Sequence, residues 1–283
     1  MPAELAAGRV REALAAAVEA LAAAGVESPR LDAELLLAEA TGWDRARLAA
    51  EPEGSVDPVA ARRFGGMVRR RVRREPVAYI VGRKGFRRLE LAVDRRALIP
   101  RPETELLVEI GLELRPKSAL DIGTGSGAVA LALADELPEC EVTATDTSPS
   151  ALSLAAENVA RLGIDGRVHL ERGTVPEGRR FDLVLANLPY VGEDEWEGLP
   201  PEITLYEPRE ALVGGPEGIE VIACTTPAAL AAIEPDGALA VEVGDGQAGA
   251  VAELMLDLGF NQVEGRLDLA GVPRVVLGRM SAS

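Results

Sequence analysis

Apolar and charged residues alternate at helical spacing from residue 4 to residue 24, where Gly25 ends the run. Ser28 and Pro29 supply an N-cap and a first-turn proline for a second helix, predicted over 31–40 and stopped by Gly42. A further helix is predicted over 58–74, broken by Pro76. Together these segments predict a small all-helical domain over residues 1–75. Two short strand-like runs, 79–86 and 89–93, then predict a β-hairpin within a linker over 76–100. Ile99-Pro100-Arg101-Pro102 reads as an extended turn, and Glu103-Thr104-Glu105 opens the next helix.

From Ser118 the period changes to strand, glycine turn and helix, repeated. Strands are predicted over 119–122, 141–145, 168–171, 181–186 and 238–243, with two more near 262–269 and 274–277. Helices are predicted over 128–136, 149–162, 219–233 and 249–258, and residues 187–218 read as irregular. Ser148 would cap the helix that starts at Pro149. Alternating strand and helix predict an α/β domain over 101–283, a doubly wound, mostly parallel sheet with helices on both faces. No internal repeat or low-complexity linker interrupts it.

The length of 283 residues exceeds the roughly 100–200 of one domain, in keeping with two. An apolar content of 47% suits a buried core. No apolar run approaches the ~20 residues that span a bilayer, so no membrane association is expected. The alanine-rich start carries Glu4, Arg9, Arg11, Glu12 and Glu19, unlike a signal-peptide hydrophobic segment, so the expected location is cytoplasmic. A monomer is the default expectation. Cys140 and Cys224 lie far apart with no metal-ligand spacing, which argues against a zinc site or a disulfide framework. The single histidine, His169, sits in an alternating stretch and reads as a strand residue; no metal site is expected.

Charge is unevenly spread. Residues 1–101 hold 19 Lys and Arg against 14 Asp and Glu, a net of +5, and residues 102–283 hold 11 against 32, a net of −21. Seven arginines fall between Arg62 and Arg74. A surface of −21 repels a phosphate backbone, so the C-terminal part suits a basic protein or a small molecule, and no direct nucleic-acid target is expected. The arginine run holds one aromatic, Phe64, and reads as a solvated helix face or a protein-docking surface rather than a base-stacking one.

Two motifs carry chemistry. Leu120-Asp121-Ile122-Gly123-Thr124-Gly125-Ser126-Gly127 ends a strand and opens a helix, and its glycines let the backbone approach a ligand where a Cβ would collide. The G-x-G-x-G spacing differs from the G-x-G-x-x-G of dinucleotide binders. It suits an adenosyl ligand without a pyrophosphate, whose ammonium group would meet a carboxylate such as Asp121. Asp146 ends the following strand, 21 residues after Gly125, where a carboxylate can accept hydrogen bonds from ribose hydroxyls. Together they point to S-adenosylmethionine, with a nicotinamide cofactor as the alternative.

The second motif, Asn187-Leu188-Pro189-Tyr190, follows the buried strand 181–186 at the sheet edge that faces ligands in open α/β folds. It suits a planar nitrogen whose lone pair is delocalised. The Asn187 side-chain oxygen can accept one N–H and the Leu188 carbonyl the other. Pro189 stiffens the direction of that carbonyl, and Tyr190 offers a flat face to a planar group. Asn187, Pro189 and Tyr190 are therefore the expected catalytic residues, and Leu188 joins them in binding substrate.

Several segments resemble the HemK/PrmC family, the protein-(glutamine-N5) methyltransferases that act on peptide chain release factors. They are Leu98-Ile-Pro-Arg-Pro-Glu-Thr-Glu105, the glycine loop, Ser28-Pro-Arg-Leu-Asp-Ala-Glu-Leu-Leu36, Glu75-Pro-Val-Ala-Tyr79, and Tyr206-Glu-Pro-Arg-Glu-Ala-Leu212 followed by Gly214-Gly215. The resemblance implies a helical N-terminal domain, a β-hairpin and a Rossmann-like class I methyltransferase domain. It implies methyl transfer to the glutamine amide of a release factor's Gly-Gly-Gln motif. Carried over by position, Asp121, Ile122, Gly123, Thr124, Gly125, Asp146, Val175 and Asn187 would contact the donor, and Asn187 to Tyr190 would clasp the amide. Two departures stand out. Leu188 replaces the usual first proline of Asn-Pro-Pro-Tyr, and Gly173-Thr174-Val175 lacks the acid often found there. Asn-Leu-Pro-Tyr also resembles adenine-N6 methyltransferases of ribosomal RNA, which stay open as an alternative, as does a catalytically silent donor-binding module.

Overall fold

The computed structural model describes residues 8–280; positions 4–7 of the expected first helix lie outside the described residues. The chain divides into two compact units, one holding everything up to Gly82 together with Pro200–Tyr206, the other Arg83–Leu199 and the chain from Glu207 onward. The first unit contains α1 (Val10–Ala23), α2 (Pro29–Thr41), α3 (Arg45–Ala50), α4 (Pro58–Val72) and α5 (Val77–Val81). Val10, Leu14, Ala17 and Leu21 recur three and four apart on α1 and bury against Leu36, Leu37, Phe64 and Val68 of α2 and α4. Pro29 starts α2 and Gly42 ends it in the left-handed conformation, while Asp57 caps α4 by accepting the Val59 and Ala60 N–H groups. Ser28 holds the N-cap position of α2 without a side-chain hydrogen bond.

The second unit runs through β1 (Arg83–Phe86), β2 (Leu89–Ala92), α6 (Glu105–Leu114), β3 (Ser118–Ile122), α7 (Ala128–Glu136), β4 (Glu141–Asp146), α8 (Pro149–Leu162), β5 (Val168–Arg172), β6 (Phe181–Ala186) and β7 (Val191–Gly192). The chain then returns to the first unit for α9 (Pro201–Tyr206). It closes the second unit with β8 (Val213–Gly215), α10 (Glu220–Ala231), β9 (Ile233–Glu242), α11 (Ala248–Asp257), β10 (Gln262–Leu267) and β11 (Pro273–Arg279). The main sheet has the order β10-β11-β9-β6-β3-β4-β5. Strands β9, β6, β3, β4 and β5 are parallel to one another, and β11 enters antiparallel between β9 and β10. Side chains alternate across the strands, so Ala119 packs with α6 and α7 on one face, whereas Leu120 and Ile122 pack with α10 and α11 on the other. The expected doubly wound sheet is the one observed.

Three expectations are corrected. Residues 77–81 form a helix rather than the first half of a hairpin strand, because Pro76 and Gly82 bracket a single turn whose Ile80 buries in the helical core. The hairpin is shorter, Arg83–Phe86 with Leu89–Ala92, and belongs to the second unit. The supposedly irregular 187–218 contains β7, α9 and β8, and α9 groups with the first unit instead of the second. In that unit Arg71 is buried between Asp32 at 2.6 Å and Glu202 at 2.8 Å, and Arg74 pairs with Glu202 at 2.6 Å. Burial alone would raise the Glu202 carboxyl, but hydrogen bonds from Arg74 and Arg71 outweigh it and hold it below the ordinary range. Arg63 and Arg70 pair with Glu39 and Glu75, so at least four of the seven clustered arginines are neutralised within the unit.

Candidate active site

Ile122 of β3 stands level with Thr145 of β4 and Ala186 of β6, so the loops that follow these strands leave the sheet side by side. This is where strand order reverses, with β4 on one side of β3 and β6 on the other, and a crevice opens there in such sheets. A cleft lined by Asp121, Gly123, Gly125, Asp146, Thr174, Asn187 and Pro189 occupies that place, wholly within the second unit.

The glycine loop is shaped for close approach. Gly123, Gly125 and Gly127 all have positive φ, which disfavours any side chain there. A Cβ on Gly123 would come 3.1 Å from the Asn187 carbonyl oxygen, so the two motifs touch through their backbones. The Gly123 and Thr124 N–H groups both donate to the Thr145 carbonyl at 2.9 Å. Asp121 is buried, and its carboxylate accepts from Thr124 Oγ1 at 2.7 Å and from the Ala130 N–H at 3.2 Å. It therefore braces the loop from beneath while still bordering the cleft; burial holds its carboxyl up at about 6. Asp146 accepts from the Gly125 N–H through one oxygen and from the Ser148 N–H through the other, at 2.9 and 2.8 Å. Ile122 also borders the cleft. Val175 does not: it packs against the core, and Gly173 and Thr174 line the cleft in its place.

Asn187 is oriented by a residue 83 positions upstream. Its Nδ2 donates to Thr104 Oγ1 at 3.0 Å, so its Oδ1 is turned the other way and takes no donor among the described residues. Leu188 buries its side chain against the core, with a methyl 3.5 Å from where a Gly123 Cβ would lie. That packing replaces some of the rigidity a proline would give. Tyr190 is not placed as a flat platform in the cleft. Its ring packs on the core, and its hydroxyl donates to Glu242 Oε1 at 3.2 Å. Burial and the neighbouring Glu242 push its phenol well above the ordinary value.

The fold gives roles to residues to which the sequence analysis assigned none. Gln247 Nε2 donates to the Tyr190 carbonyl at 2.8 Å and its Oε1 accepts from the Gly244 N–H at 2.9 Å. Glu207 is buried and accepts from the Ile99 N–H at 3.0 Å and from Arg101, tying the Ile99–Pro102 turn along the cleft to the Glu207–Arg209 segment. Asn158 of α8 bonds both polar groups of Ala92 and the Ser126 carbonyl, anchoring the hairpin to the glycine loop. One signal was available for Glu242: an acid closing the otherwise apolar run Ala238-Leu-Ala-Val241 needs a partner to be buried.

Comparison with known proteins agrees with this geometry. The PrmC N-terminal domain model matches residues 12–82, and the methyltransferase small domain model matches residues 102–199. A release factor glutamine methyltransferase of Cereibacter sphaeroides is 41% identical over 279 residues, covering 97% of this chain and 100% of that one. The Moorella thermoacetica protein of the same name is 43% identical over 276 residues, covering 95% and 97%. Among solved structures, a methyltransferase from Pyrococcus furiosus covers 68% of this chain and 89% of its own, at 20% identity and a TM-score of 0.53. The catalytic domain of hMettl16, solved in complex with the MAT2A 3'UTR hairpin 6, covers 68% of this chain and 75% of its own at 14% identity and a TM-score of 0.56; both likenesses show the fold alone. Relatives more than 40% identical over nearly the whole of both chains place this chain in the family of release factor glutamine methyltransferases.

Proposed function

We propose that this protein transfers a methyl group from S-adenosylmethionine to the side-chain amide nitrogen of the glutamine in the Gly-Gly-Gln motif of peptide chain release factors. The observation that carries the reading is the orientation of Asn187, whose Nδ2 is spent on Thr104 while its Oδ1 is left to accept a substrate N–H. The near-full-length likeness to release factor glutamine methyltransferases supports the choice of substrate.

The donor-side residues fit the proposed methyl donor. Left-handed glycines at 123 and 125 form a cradle that a side chain would fill, and Asp146 borders it with carboxylate lone pairs left over after its two backbone bonds. When bound, S-adenosylmethionine supplies an electrophilic methyl carbon on a sulfonium. A glutamine amide nitrogen is a poor nucleophile because its lone pair is shared with the carbonyl. Accepting one N–H at Asn187 Oδ1 and the other at the Leu188 carbonyl raises electron density on nitrogen and fixes its direction. No base is needed beforehand, since the nitrogen proton becomes acidic only as the new bond forms. Alignment then carries most of the rate, a contribution of up to ~7–11 kcal/mol in favourable cases. A net of −21 over residues 102–283 suits a basic partner, and the ion pairs of Arg63, Arg70, Arg71 and Arg74 leave less charge for a phosphate backbone.

Incubating the protein with labelled donor and either release factor or ribosomal RNA tests this directly. Label should appear on the release factor and vanish when its motif glutamine becomes alanine, and label confined to RNA would overturn the reading. Asn187→Ala should lower the single-turnover rate on the order of 10²-fold or more. An unchanged rate would remove Asn187 from its role.

A further inference from the structure

The acceptor loop Asn187–Tyr190 has four main-chain carbonyls, and the fold closes off three of them. A Cβ on Gly123 would lie 3.1 Å from the Asn187 oxygen, one on Gly214 2.4 Å from the Pro189 oxygen, and one on Gly218 2.4 Å from the Tyr190 oxygen. Each of these oxygens thus has glycine backbone packed against it. The Leu188 carbonyl, the one that methyl transfer needs for a substrate N–H, accepts no hydrogen bond among the described residues.

The Tyr190 oxygen is also held by a side chain. Gln247 Nε2 donates to it at 2.8 Å, and Gln247 Oε1 accepts from the Gly244 N–H at 2.9 Å. Gln247 holds the N-cap position of α11, yet its side chain makes no cap bond to that helix. Both ends of its amide are spent instead on joining the segment after β9 to the acceptor loop. The bridge is closely fitted: a Cβ on Gly244 would come 2.9 Å from Gln247 Oε1 and 3.2 Å from the Tyr190 ring, and one on Gly218 3.0 Å from Gln247 Nε2. Without that donor, the Tyr190 carbonyl would offer the acceptor amide a second place for its N–H. The loop would also be free to turn the Leu188 carbonyl out of line.

We propose that Gln247 is a positioning residue for methyl transfer: it pins the Tyr190 carbonyl and so leaves the Leu188 carbonyl as the main-chain acceptor for the substrate amide. This rests on the function proposed above and deepens it. The bridge calls for a group that donates at one end and accepts at the other, which a glutamine amide does without charge. A carboxylate of the same shape would still accept from Gly244, but it would face the Tyr190 oxygen with a lone pair.

Gln247→Glu keeps the shape and removes the donor. At pH 8 its single-turnover rate with release factor, per folded molecule, should fall roughly 10- to 100-fold, the scale of a misplacement of about 1 Å, with donor affinity by calorimetry unchanged. Toward acid pH the introduced carboxyl takes up a proton and its O–H can donate to Tyr190, so the rate relative to wild type should recover. Gln247→Met, with neither charge nor amide, should be slow at every pH. One readout needs no acceptor: hydrogen exchange at the Val191 N–H, which follows the pinned carbonyl and donates to the Leu212 carbonyl at 2.8 Å. It should quicken in both variants while the amides of β3 keep their protection. A Gln247→Glu enzyme with the wild-type rate, a loss of rate matched by an equal loss of donor affinity, or unchanged Val191 exchange in both variants would overturn the proposal. Failure of the wild type to label any release factor would instead remove the proposed function, leaving Val191 exchange to decide whether Gln247 holds the loop.

Discussion

The oxygen and nitrogen of an asparagine amide are close to the same size, so only neighbours decide which one faces a substrate. Here Thr104 decides for Asn187, and the buried Glu242 takes the hydroxyl of the neighbouring Tyr190. A carboxylate so placed has a cost to folding whose sign can be worked out. Its ordinary value is 4.5 and burial raises it to about 7, so between these the folded state holds the proton more tightly than the unfolded chain. The stabilisation is complete below pH 4.5 and is lost as pH rises through 7. The difference corresponds to about 3 kcal/mol at most. Glu242→Gln cannot titrate, so its stability relative to the wild type should climb by up to that amount between pH 4.5 and 8 in denaturant titrations. A difference that stays flat with pH would show a carboxyl of ordinary affinity. Asn187–Tyr190 and the glycine loop were legible because each is contiguous. Thr104 and Glu242 were not, because they reach the same spot from 83 and 52 positions away.

Among the elements, the glycine-rich segment around β8 does for the acceptor loop what a wall does for a shelf. A Cβ on Gly214 would lie 2.4 Å from the Pro189 carbonyl oxygen and 2.2 Å from that of Gly218. Both obstacles are backbone and cannot swing aside. Gly214→Ala should therefore cost about 1–3 kcal/mol of stability and displace Pro189, lowering turnover more than donor affinity. Gly82, with a left-handed φ but nothing within 4 Å, is the control: its alanine variant should lose stability and keep its turnover per folded molecule. A Gly214→Ala enzyme with normal turnover would mean the loop does not lean on β8. Strands and helices of the sheet were readable because their apolar periods are long and regular. Val77–Val81 was misread because five residues are too few to show a period, and packing of Ile80 settled the matter. The short elements within 187–218 were missed for the same reason; their residues are specified by what they touch, as Glu207 is by Arg101 and Ile99.

For the molecule as a whole, the boundary expected near residue 75 lies at Gly82, and the second unit is interrupted by Pro200–Tyr206. The two family models stop at the same places, residues 82 and 199. One cut cannot therefore separate the units. A fragment starting at Arg83 would carry Glu202 without Arg71 and Arg74, and Tyr206 without the Arg73 carbonyl that its hydroxyl bonds at 2.8 Å. Cleavage by a glutamate-specific protease at Glu202 should be fast in that fragment and slow in the full chain, with residues 1–82 restoring protection when added back. Equal resistance in the two would show that the arginine pairs do not hold the segment.

That interrupted path also bears on descent. An exchange of the first 82 residues between two relatives would bring in a new Arg71 and Arg74 but leave the old Glu202 behind, more than a hundred positions along the chain. The two units of this protein are thus expected not to be exchanged independently. Lineages are expected to change positions 71, 74 and 202 in concert, and hybrids that break the set would leave Arg74 without its acid and Arg71 with Asp32 alone.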